Sequence, residues 1–494
     1  MDLTDVRFAQ PDKERLVRDL RTIVPERAVL STREELAPYE CDGLAVYRTL
    51  PLAVVLPETE QQVAAVLKAC RRQNVPVVAR GAGTGLSGGA MPHDQGIVLS
   101  LAKFNRILSI DALARTARVQ PGVRNLAISE AAAPYGLYFA PDPSSQIACT
   151  IGGNVAENSG GVHCLKYGLT VHNILAVRAY TIDGELLEIG GDALDAPGYD
   201  LLALVTGSEG LLAVTTEVTV RLLPTPRVAR AILAAFECIE DAGQAVANVI
   251  AAGIIPAGME IMDRAAIHAA EAYVHAGYPL DAAAILIVES DGTETEVDEE
   301  IARINAVLEG AGASQLRVSR TEQERYKFWS GRKAAFPAIG RITPDYYCID
   351  GTVPRKRLAE VLRRIVLMEA KYGLRCANVF HAGDGNLHPL IMFDASKPGE
   401  LERTEAFAAE ILELSIEVGG TITGEHGVGV EKINQMCVQF QAPELEMFRG
   451  VKSAFDEPGL LNPGKAVPTL RRCAEYGRLH VHDGQLPHAE LPRF

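Results

Sequence analysis

The segment Arg80-Gly-Ala-Gly-Thr-Gly-Leu-Ser-Gly-Gly89 decides how this chain of 494 residues folds, because it carries the pattern Gly-x-Gly-x-x-Gly. In a dinucleotide-binding Rossmann unit a helix follows that pattern at once, and the pyrophosphate meets the helix N-terminus. Here a proline and further glycines follow, and Ile97–Leu101 has the composition of another strand. The glycines still allow backbone N–H groups to approach a phosphate as an anion-binding nest. The segment therefore predicts such a nest outside a Rossmann unit, with a plain flexible turn as the alternative.

The sequence on either side of this loop predicts an α+β unit. Pro51–Pro57 is typical of a short buried strand, and Thr59–Gln62 is a capping-box pattern that opens a helix. Val75–Ala79 is the strand that leads into the loop. Short strands continue as far as Val214–Leu223, and the proline-rich break Pro224–Pro226 is the predicted domain boundary.

Beyond that break the pattern changes to longer helices, at about 240–252 and 294–310, which alternate with strands. This pattern predicts a second α+β domain. From about Glu405 onward the sequence is mostly helical. We therefore predict four parts: an N-terminal lead-in at 1–50, a nucleotide-binding domain at 51–226, a second domain at 227–404 and a helical segment at 405–494.

A second glycine-rich stretch, Pro141–Gly161, lies in the predicted nucleotide-binding domain. It offers hydroxyl and amide side chains as hydrogen-bonding groups, and its paired glycines permit close approach of backbone to a ligand. A third candidate is Gly207-Ser-Glu-Gly210. Two such loops in one domain suit a long ligand better than a single phosphate.

A different chemistry is indicated by His381-Ala-Gly-Asp-Gly-Asn-Leu-His388 and by Gly424-Glu-His-Gly427. The first segment predicts a hairpin with a four-residue turn at Gly383–Asn386. In that register the two histidines are cross-strand partners on one face, with Cβ atoms roughly 5 Å apart. They could bind one divalent metal together with Glu425. The alternative is a polar turn with two hydrogen-bonded histidines.

Composition excludes some functions. Lys and Arg number 48 against 63 Asp and Glu, and the net charge of −15 argues against a nucleic-acid-binding surface. The acidic N-terminus predicts no signal peptide, and no apolar window is long enough to span a bilayer. The nine scattered cysteines include no Cys-x-x-Cys motif. We expect reduced thiols in the cytoplasm and no iron–sulfur cluster carried by this chain.

Several motifs together resemble a known family. Arg80–Gly89, Pro141–Ser145 and Ile151–Glu157 look like the FAD-binding segments of the vanillyl-alcohol-oxidase flavoprotein superfamily. The histidine segments and Asn462-Pro-Gly-Lys465 narrow the resemblance to its FAD-linked D-2-hydroxy-acid dehydrogenase branch. Within that branch the segments Tyr39–Gly43, Phe328–Phe336 and Pro344–Cys348 resemble the FAD subunits of bacterial glycolate oxidases.

The resemblance implies an α+β fold: a two-part FAD-binding domain of the PCMH type at 51–226, an α+β substrate or cap domain, and a helical C-terminal segment that returns to the flavin. It also implies which residues contact FAD. These are Gly81, Gly83, Thr84, Gly85 and Ser87 in the first loop, Ser144, Ser145, Gly152, Asn154 and Gly161 in the second, and Val214 and Asn462 elsewhere. Because no histidine precedes His93 in the first loop, non-covalent FAD is expected.

For the second site the resemblance implies a divalent ion (Zn, Mn or Fe) held by His381, His388 and Glu425. His426 then matches the base that removes the substrate's hydroxyl proton. Arg332, which we expect at the start of a helix, matches the arginine that binds the substrate carboxylate. His480, His482 and His488 are expected in a solvated or docking tail.

The implied reaction is the oxidation of a small 2-hydroxy acid. The leading interpretation is oxidation of glycolate to glyoxylate, and the alternative is a D-lactate dehydrogenase that acts alone. Electrons would leave through partners, and the resembled system has a second FAD-like subunit and an iron–sulfur subunit at the cytoplasmic membrane. The chain itself would be cytoplasmic, or peripheral at the inner face of the cell membrane. A non-catalytic flavoprotein assembly subunit is a further alternative, although such a subunit need not keep the histidine and glutamate set.

Overall fold

The structure is a computed structural model that describes residues 8, 10–193, 198–469 and 472–473. His480, His482 and His488 lie outside the described residues. The described chain forms two compact units. The first unit contains the described residues of Met1–Ser159, Leu169–Pro224 and Glu425–Phe494, and the second contains Gly160–Gly168 and Thr225–Gly424.

The strands of the described chain are numbered in chain order. They are β1 Val29–Leu30, β2 Ala53–Val55, β3 Val77–Arg80, β4 Ile97–Ser100, β5 Ile107–Asp111, β6 Thr116–Val119, β7 Leu137–Tyr138, β8 Ile174–Tyr180, β9 Leu186–Gly190, β10 Val214–Arg221, β11 Leu223–Pro224, β12 Val228–Phe236, β13 Gly258–Asp263, β14 Ala284–Gly292, β15 Gln315–Val318, β16 Asp345–Cys348, β17 Gly351–Thr352, β18 Arg375–His381, β19 Asn386–Leu387 and β20 Pro389–Phe393.

The α-helices are numbered in the same way. They are α1 Lys13–Ile23, α2 Arg33–Leu36, α3 Glu60–Gln73, α4 Asn125–Ala132, α5 Ile151–Glu157, α6 Cys164–Tyr167, α7 Leu201–Val205, α8 Ile239–Ala251, α9 Arg264–Val274, α10 Glu294–Gly310, α11 Glu322–Lys333, α12 Ala335–Ile339, α13 Leu358–Tyr372, α14 Glu400–Glu417, α15 Ile433–Gln439 and α16 Ala442–Phe455.

The first unit contains two principal sheets. In the order β1-β2-β4-β3, strands β2, β3 and β4 are parallel, and α1 and α3 bury Leu16, Leu20 and Leu67 in the core beside this sheet. The second sheet is antiparallel in the order β5-β6-β10-β8-β9. Its core includes Ile128 of α4 and Ile151 of α5. Burial of these apolar faces is the main stabilising term for both layers.

Helix α3 begins where the sequence predicts it. The Thr59 hydroxyl accepts a hydrogen bond from Gln62 N–H at 3.2 Å, and Glu58 N–H donates to the Gln62 side chain at 2.7 Å. The helix ends at Asn74, which has a left-handed conformation with φ 53°. The predicted N-cap Thr59 is confirmed, but the reciprocal half of the capping box is not formed, because the Gln62 side chain accepts from Glu58 N–H instead of from Thr59 N–H.

The second unit is built on an antiparallel sheet in the order β15-β12-β14-β13-β18-β19-β17, with β20 pairing both β18 and β16. Strand β13 is buried along its whole length, and its neighbours are β14 and β18. This central position matters for function because the histidine hairpin extends from β18.

The structure moves the last predicted boundary. We predicted a C-terminal segment from residue 405, but α14 belongs to the second unit, and the return to the first unit begins at Glu425. The reason is packing, since Phe407 of α14 stacks on Tyr372 of α13 with ring centroids 5.2 Å apart. The division at Pro224 and Thr225 falls in the proline-rich break that marked the predicted boundary.

The prediction that every cysteine is reduced is wrong for one pair. Cys437 of α15 and Cys473 form a disulfide across 36 residues of sequence, whereas seven other cysteines are free thiols. A pair so far apart in sequence has no short motif, so only the approach of the two Cα atoms to 5.3 Å reveals it. Among the described helices, none is both long enough and apolar enough to cross a bilayer.

Candidate active site

The first glycine-rich loop leaves β3 and reaches β4 without an intervening helix, as the sequence predicts. Within the described chain, none of the backbone N–H groups of residues 81–89 donates a hydrogen bond. Residues 81–86 are only partly buried, so most of these donors lie near the surface of the first unit. A run of unmatched N–H groups in a glycine-rich loop fits a phosphate-bearing ligand.

The loop is held from one side by a segment that the sequence analysis treated as a lead-in. Gly43 N–H donates to Gly85 O at 2.8 Å, and Arg80 Nη1 donates to Cys41 O at 2.7 Å. The Asp42 carboxylate accepts from Ala90 N–H at 3.2 Å. The 41–43 segment therefore fixes the nest.

The second glycine-rich stretch is not a continuous loop, because residues Ile151–Glu157 form helix α5. The predicted placement of Gly152 and Asn154 in a loop is therefore wrong, because both residues lie on this helix. The helix forms despite its glycines because Ile151 and Val155 are buried in the core of the second sheet. Gly152 is required by close approach, since a Cβ there would lie 2.5 Å from the Pro121 side chain.

The predicted FAD residues separate into two groups. Gly81, Gly83, Thr84, Gly85, Ser144, Ser145 and Gly152 retain accessible surface, whereas Ser87, Asn154, Gly161, Val214 and Asn462 are buried. Residues of the first group can contact a ligand directly in this arrangement. In the second group, Asn462 has a structural role, because its Nδ2 donates to Gly89 O and to Glu209 O, at 2.9 and 2.7 Å.

A turn at residues 427–429 follows Glu425 and His426 and is fixed inside the first unit. The Glu209 carboxylate accepts from Val428 N–H at 2.6 Å and from Gly429 N–H at 2.7 Å. Lys432 Nζ donates to Gly427 O at 2.8 Å. Gly427 needs its glycine, because it has φ 79° and a Cβ there would lie 2.2 Å from a Glu157 oxygen. The Glu209 carboxylate and Lys432 thus fix the backbone immediately after His426.

Burial raises the pKa of two carboxyl groups beside this turn, those of Glu157 and Glu209. Desolvation raises the pKa of Glu157 well above its usual range, and the neighbouring Glu209 raises it further. Desolvation likewise raises the pKa of Glu209, against the hydrogen bonds from Val428 and Gly429. Sequence reasoning missed these roles, although Glu157 and Glu209 both lie in segments that it singled out.

Lys465 is a second buried lysine of the same region. Its Nζ donates to Gly89 O at 2.8 Å, to Asn462 Oδ1 at 2.7 Å and to Met91 O. Desolvation lowers the pKa of Lys465 from 10.5 to about 7, while Asp42, Glu209 and Glu157 oppose that shift.

The lowered pKa of Lys465 predicts that the stability of the protein depends on pH. Between pH 7 and pH 10 the unfolded chain binds a proton at Lys465 that the folded chain lacks, so the free energy of unfolding should rise with pH across this window. Chemical denaturation at several pH values should show a shallower rise for Lys465→Met than for the wild type. Lys397→Met changes an exposed lysine and should keep the wild-type slope. An unchanged slope in Lys465→Met would contradict the prediction.

The histidine hairpin has a different register from the predicted one. His381 pairs with Asn386, and the turn is Ala382–Gly385, closed by Asp384 N–H donating to His381 O at 3.2 Å. Because Asn378 pairs with Pro389, counting along both strands places His388 opposite Val379. His381 and His388 are therefore diagonal neighbours on one face, not direct cross-strand partners. Gly385, with φ 74°, takes the turn position and shifts the register.

The two imidazole rings nevertheless lie close together. Their ring centroids are 5.0 Å apart, their planes are nearly perpendicular, and one nitrogen of each lies within 4.8 Å of the other. His381 Nδ1 is 2.6 Å from a Glu260 oxygen, and His388 Nδ1 is 3.2 Å from Ile349 O. Since Nδ1 of each ring contacts a protein oxygen, Nε2 is the nitrogen that each would offer to a metal. This donor set fits a divalent ion.

Arg332 lies at the end of α11, not at the start of a helix as predicted, because the Thr321 cap begins that helix at Glu322. The side chain is 2% exposed, and its Nε donates to Glu260 at 2.6 Å. Neither Nη1 nor Nη2 has a partner among the described residues. A buried guanidinium with one edge unmatched fits a carboxylate ligand.

Glu425 directly follows Gly424, the last residue of the second unit. Gly424 N–H donates to both Asp350 oxygens at 3.1 Å, and a Cβ on Gly424 would lie 2.5 Å from the Asn386 side chain of the hairpin. Glu425 is thus one peptide bond from a residue packed on the hairpin. His426 Nε2 and a Glu425 oxygen are 3.8 Å apart.

Comparison with known proteins agrees with both units. Residues 51–190 match the family model of an FAD binding domain, and residues 225–466 match that of FAD linked oxidases, C-terminal domain. The chain is 62% identical to glycolate oxidase subunit GlcD of Escherichia coli (strain K12), over 98% of each chain. It is 32% identical to a D-lactate dehydrogenase of Anaerostipes hadrus, over 91% of this chain and 96% of that one.

Among solved structures, p-cresol methylhydroxylase with substrate bound has the same fold, with a TM-score of 0.76 at 18% identity, over 93% of this chain and 97% of that one. An FAD-binding unit joined to an FAD-linked oxidase unit defines a flavin-dependent oxidoreductase. The chain belongs to the family of FAD-linked oxidases. The α+β fold with a PCMH-type FAD-binding domain and the cofactor FAD, both predicted from the sequence, are confirmed.

Proposed function

We propose that the chain is the FAD-bearing catalytic subunit of an enzyme that oxidises glycolate to glyoxylate. One observation of the structure supports this most: Glu260 joins His381, one of the two paired histidines of the second unit, to Arg332, whose guanidinium edge is unmatched. A metal-binding pair beside a carboxylate-binding group suits a small 2-hydroxy acid. The identity of 62% to a glycolate oxidase subunit favours glycolate among such acids.

The proposed metal ligands are His381, His388 and Glu425. The hairpin supplies two imidazoles with defined ligand nitrogens, and Glu425 begins one peptide bond after Gly424, which packs on that hairpin. Two histidines and one carboxylate leave coordination positions for a substrate, and they suit Zn, Mn or Fe.

Arg332 and His426 are the proposed substrate residues. The Nη groups of Arg332 would bind the substrate carboxylate through two parallel hydrogen bonds. His426 would accept the hydroxyl proton, and Glu209 and Lys432 fix the turn that follows it. Bound metal supplies a Lewis acid for the hydroxyl oxygen, and bound FAD supplies the acceptor for the hydride lost from C2. Removal of one proton and one hydride balances the oxidation of the hydroxy acid to the oxo acid.

The first loop and its N–H groups would bind the FAD pyrophosphate through Gly81, Gly83, Thr84, Gly85 and Ser87. Ser144, Ser145, Gly152, Asn154, Gly161, Val214 and Asn462 would complete the cofactor site. FAD would be non-covalent, because the first histidine after the loop, His93, is buried with Nδ1 accepting from Gln95 N–H at 3.0 Å.

Electrons would leave through partners. The E. coli relative is described as a subunit, and the present chain has no Cys-x-x-Cys motif for an iron–sulfur cluster of its own. A second FAD-like subunit and an iron–sulfur subunit are the proposed partners, and they would bring the chain to the inner face of the cell membrane.

A D-lactate dehydrogenase acting alone is the second candidate, because the chain is 32% identical to an enzyme of that name. Both candidates share the proposed site. Their substrates differ in the size of one substituent of C2, which is a hydrogen in glycolate and a methyl group in D-lactate.

Anaerobic reduction of the purified flavoprotein by glycolate, D-lactate and L-lactate tests the proposal. We expect bleaching of the oxidised flavin band by glycolate, with a bound divalent ion detected by metal analysis of the same sample. A preference of more than tenfold for D-lactate would reject glycolate as the substrate. Absence of bleaching by every acid would favour the assembly subunit.

A further inference from the structure

Glu260 is a buried carboxylate at the centre of the second unit. It lies on β13, directly opposite His381 of β18, and its exposure is 0%. One oxygen contacts His381 Nδ1 and the other accepts from Arg332 Nε, each at 2.6 Å. Both oxygens are therefore engaged by side chains that the proposed function uses.

The contact to His381 selects a tautomer. A carboxylate accepts hydrogen bonds and donates none, so the hydrogen on this imidazole is on Nδ1 and Nε2 carries the lone pair. Carboxylates in this relation to a ligating histidine fix its ring orientation and raise its basicity. At His388 the contact of Nδ1 is with the neutral carbonyl of Ile349.

The contact to Arg332 fixes the guanidinium plane. With Nε bound to Glu260, the Nη1 and Nη2 edge is left without a partner among the described residues. Glu260 also compensates a cation that is 98% buried, since the exposed fraction of Arg332 is 2%. Without that compensation the buried charge would be strongly destabilising.

We propose that Glu260 is a positioning residue. Its single carboxylate orients both the metal ligand His381 and the carboxylate-binding Arg332. Its two oxygens fix the position of each side chain relative to the other. The distance between the metal and the arginine, which the substrate would span, would therefore be fixed. This inference rests on the proposed function, because it assumes both a metal at His381 and a substrate carboxylate at Arg332.

Glu260→Gln keeps the shape but replaces one accepting oxygen with an NH2 group that faces a donor. The dissociation constant of the divalent ion should rise about 10- to 100-fold, measured by chelator competition in the FAD-loaded protein without substrate. The KM for glycolate should also rise by about tenfold, because Arg332 loses its fixed plane. Metal affinity is the readout that a purely structural role would not move.

Glu289→Gln is the matched control. Glu289 is a buried carboxylate on the neighbouring strand β14, and it is held by Arg325, Trp329 and His163 instead of by the site side chains. This variant should lower the melting temperature, as Glu260→Gln does, and should leave metal affinity within about twofold of the wild type. Loss of metal affinity in both variants would overturn the proposal, because general destabilisation would then explain it.

A second comparison holds even if Glu260→Gln fails to fold. The double variant Glu260→Gln, Arg332→Met removes both buried charges, so that neither is left buried without its partner. Its metal affinity should stay at least tenfold below that of Arg332→Met alone, because His381 still lacks its carboxylate. Equal affinities in these two variants would overturn the proposal.

The two proposals can fail separately. If the wild type binds metal and is reduced by glycolate, and the metal affinity of Glu260→Gln is within twofold of the wild-type value, the role of Glu260 is rejected and the proposed function stands. A wild type without metal would reject both.

Discussion

Replacing His426 by Gln is expected to leave FAD bound and to slow flavin reduction by glycolate roughly 100- to 10,000-fold, the usual contribution of a general base. The structure gives a reason to expect a specific loss. The turn after His426 is fixed by Glu209 through Val428 and Gly429 and by Lys432 through Gly427 O, and none of these bonds uses the imidazole. The backbone should therefore keep its position in the variant, and only the proton acceptor should be lost.

Stopped-flow reduction under anaerobic conditions measures this rate, and the flavin absorption spectrum reports FAD content in the same sample. His268→Gln is the matched control, because His268 is exposed and contacts only the backbone oxygen of Leu280 in the second unit. It should reduce at the wild-type rate. Unimpaired flavin reduction in His426→Gln would show that another group accepts the proton.

The local parts of this structure were predictable. Helix α3 begins at its capping pattern, and the first glycine-rich loop leads into a strand, because caps and breaks depend on residues a few positions apart. The hairpin was predictable in existence but not in register. Gly383 and Gly385 are both candidates for the turn, and only packing decides between them: Gly385 takes the positive φ, and Gly383 packs against Leu165 and Met259.

The residues that support the candidate site were not predictable. Glu260 contacts His381 across 121 residues of sequence, and Glu209 contacts Gly429 across 220. Such pairs depend on which strands become neighbours, and no local spacing records that. One signal was present for Glu260: it is an acid in the middle of a strand whose other residues, apart from the terminal Asp263, are apolar, and a buried carboxylate needs partners. That signal could have marked the residue as important, although its partners would have stayed unknown.

Replacing His388 by Ala is expected to remove the divalent ion and to slow flavin reduction by about a thousandfold or more, because the Lewis-acid contribution of a metal amounts to several kcal/mol. His388 is 2% exposed and contacts the Ile349 carbonyl at 3.2 Å, so its replacement leaves a cavity and removes the contact to that carbonyl. The FAD-binding unit contains neither residue, and FAD should remain bound. Metal analysis and stopped-flow reduction of one preparation measure both effects.

Cys348→Ser separates this ligand set from a competing one. The Cys348 thiol also lies within 4.8 Å of a His388 nitrogen, so a site built on the thiol is the alternative. If His381, His388 and Glu425 bind the ion, Cys348→Ser keeps its metal and its reduction rate, whereas His388→Ala loses both. Chelator treatment of the wild type should then reproduce the slow rate, and added divalent ion should restore it in the wild type and in Cys348→Ser but not in His388→Ala. Loss of metal from Cys348→Ser would instead assign the thiol as a ligand and reject the histidine and glutamate set.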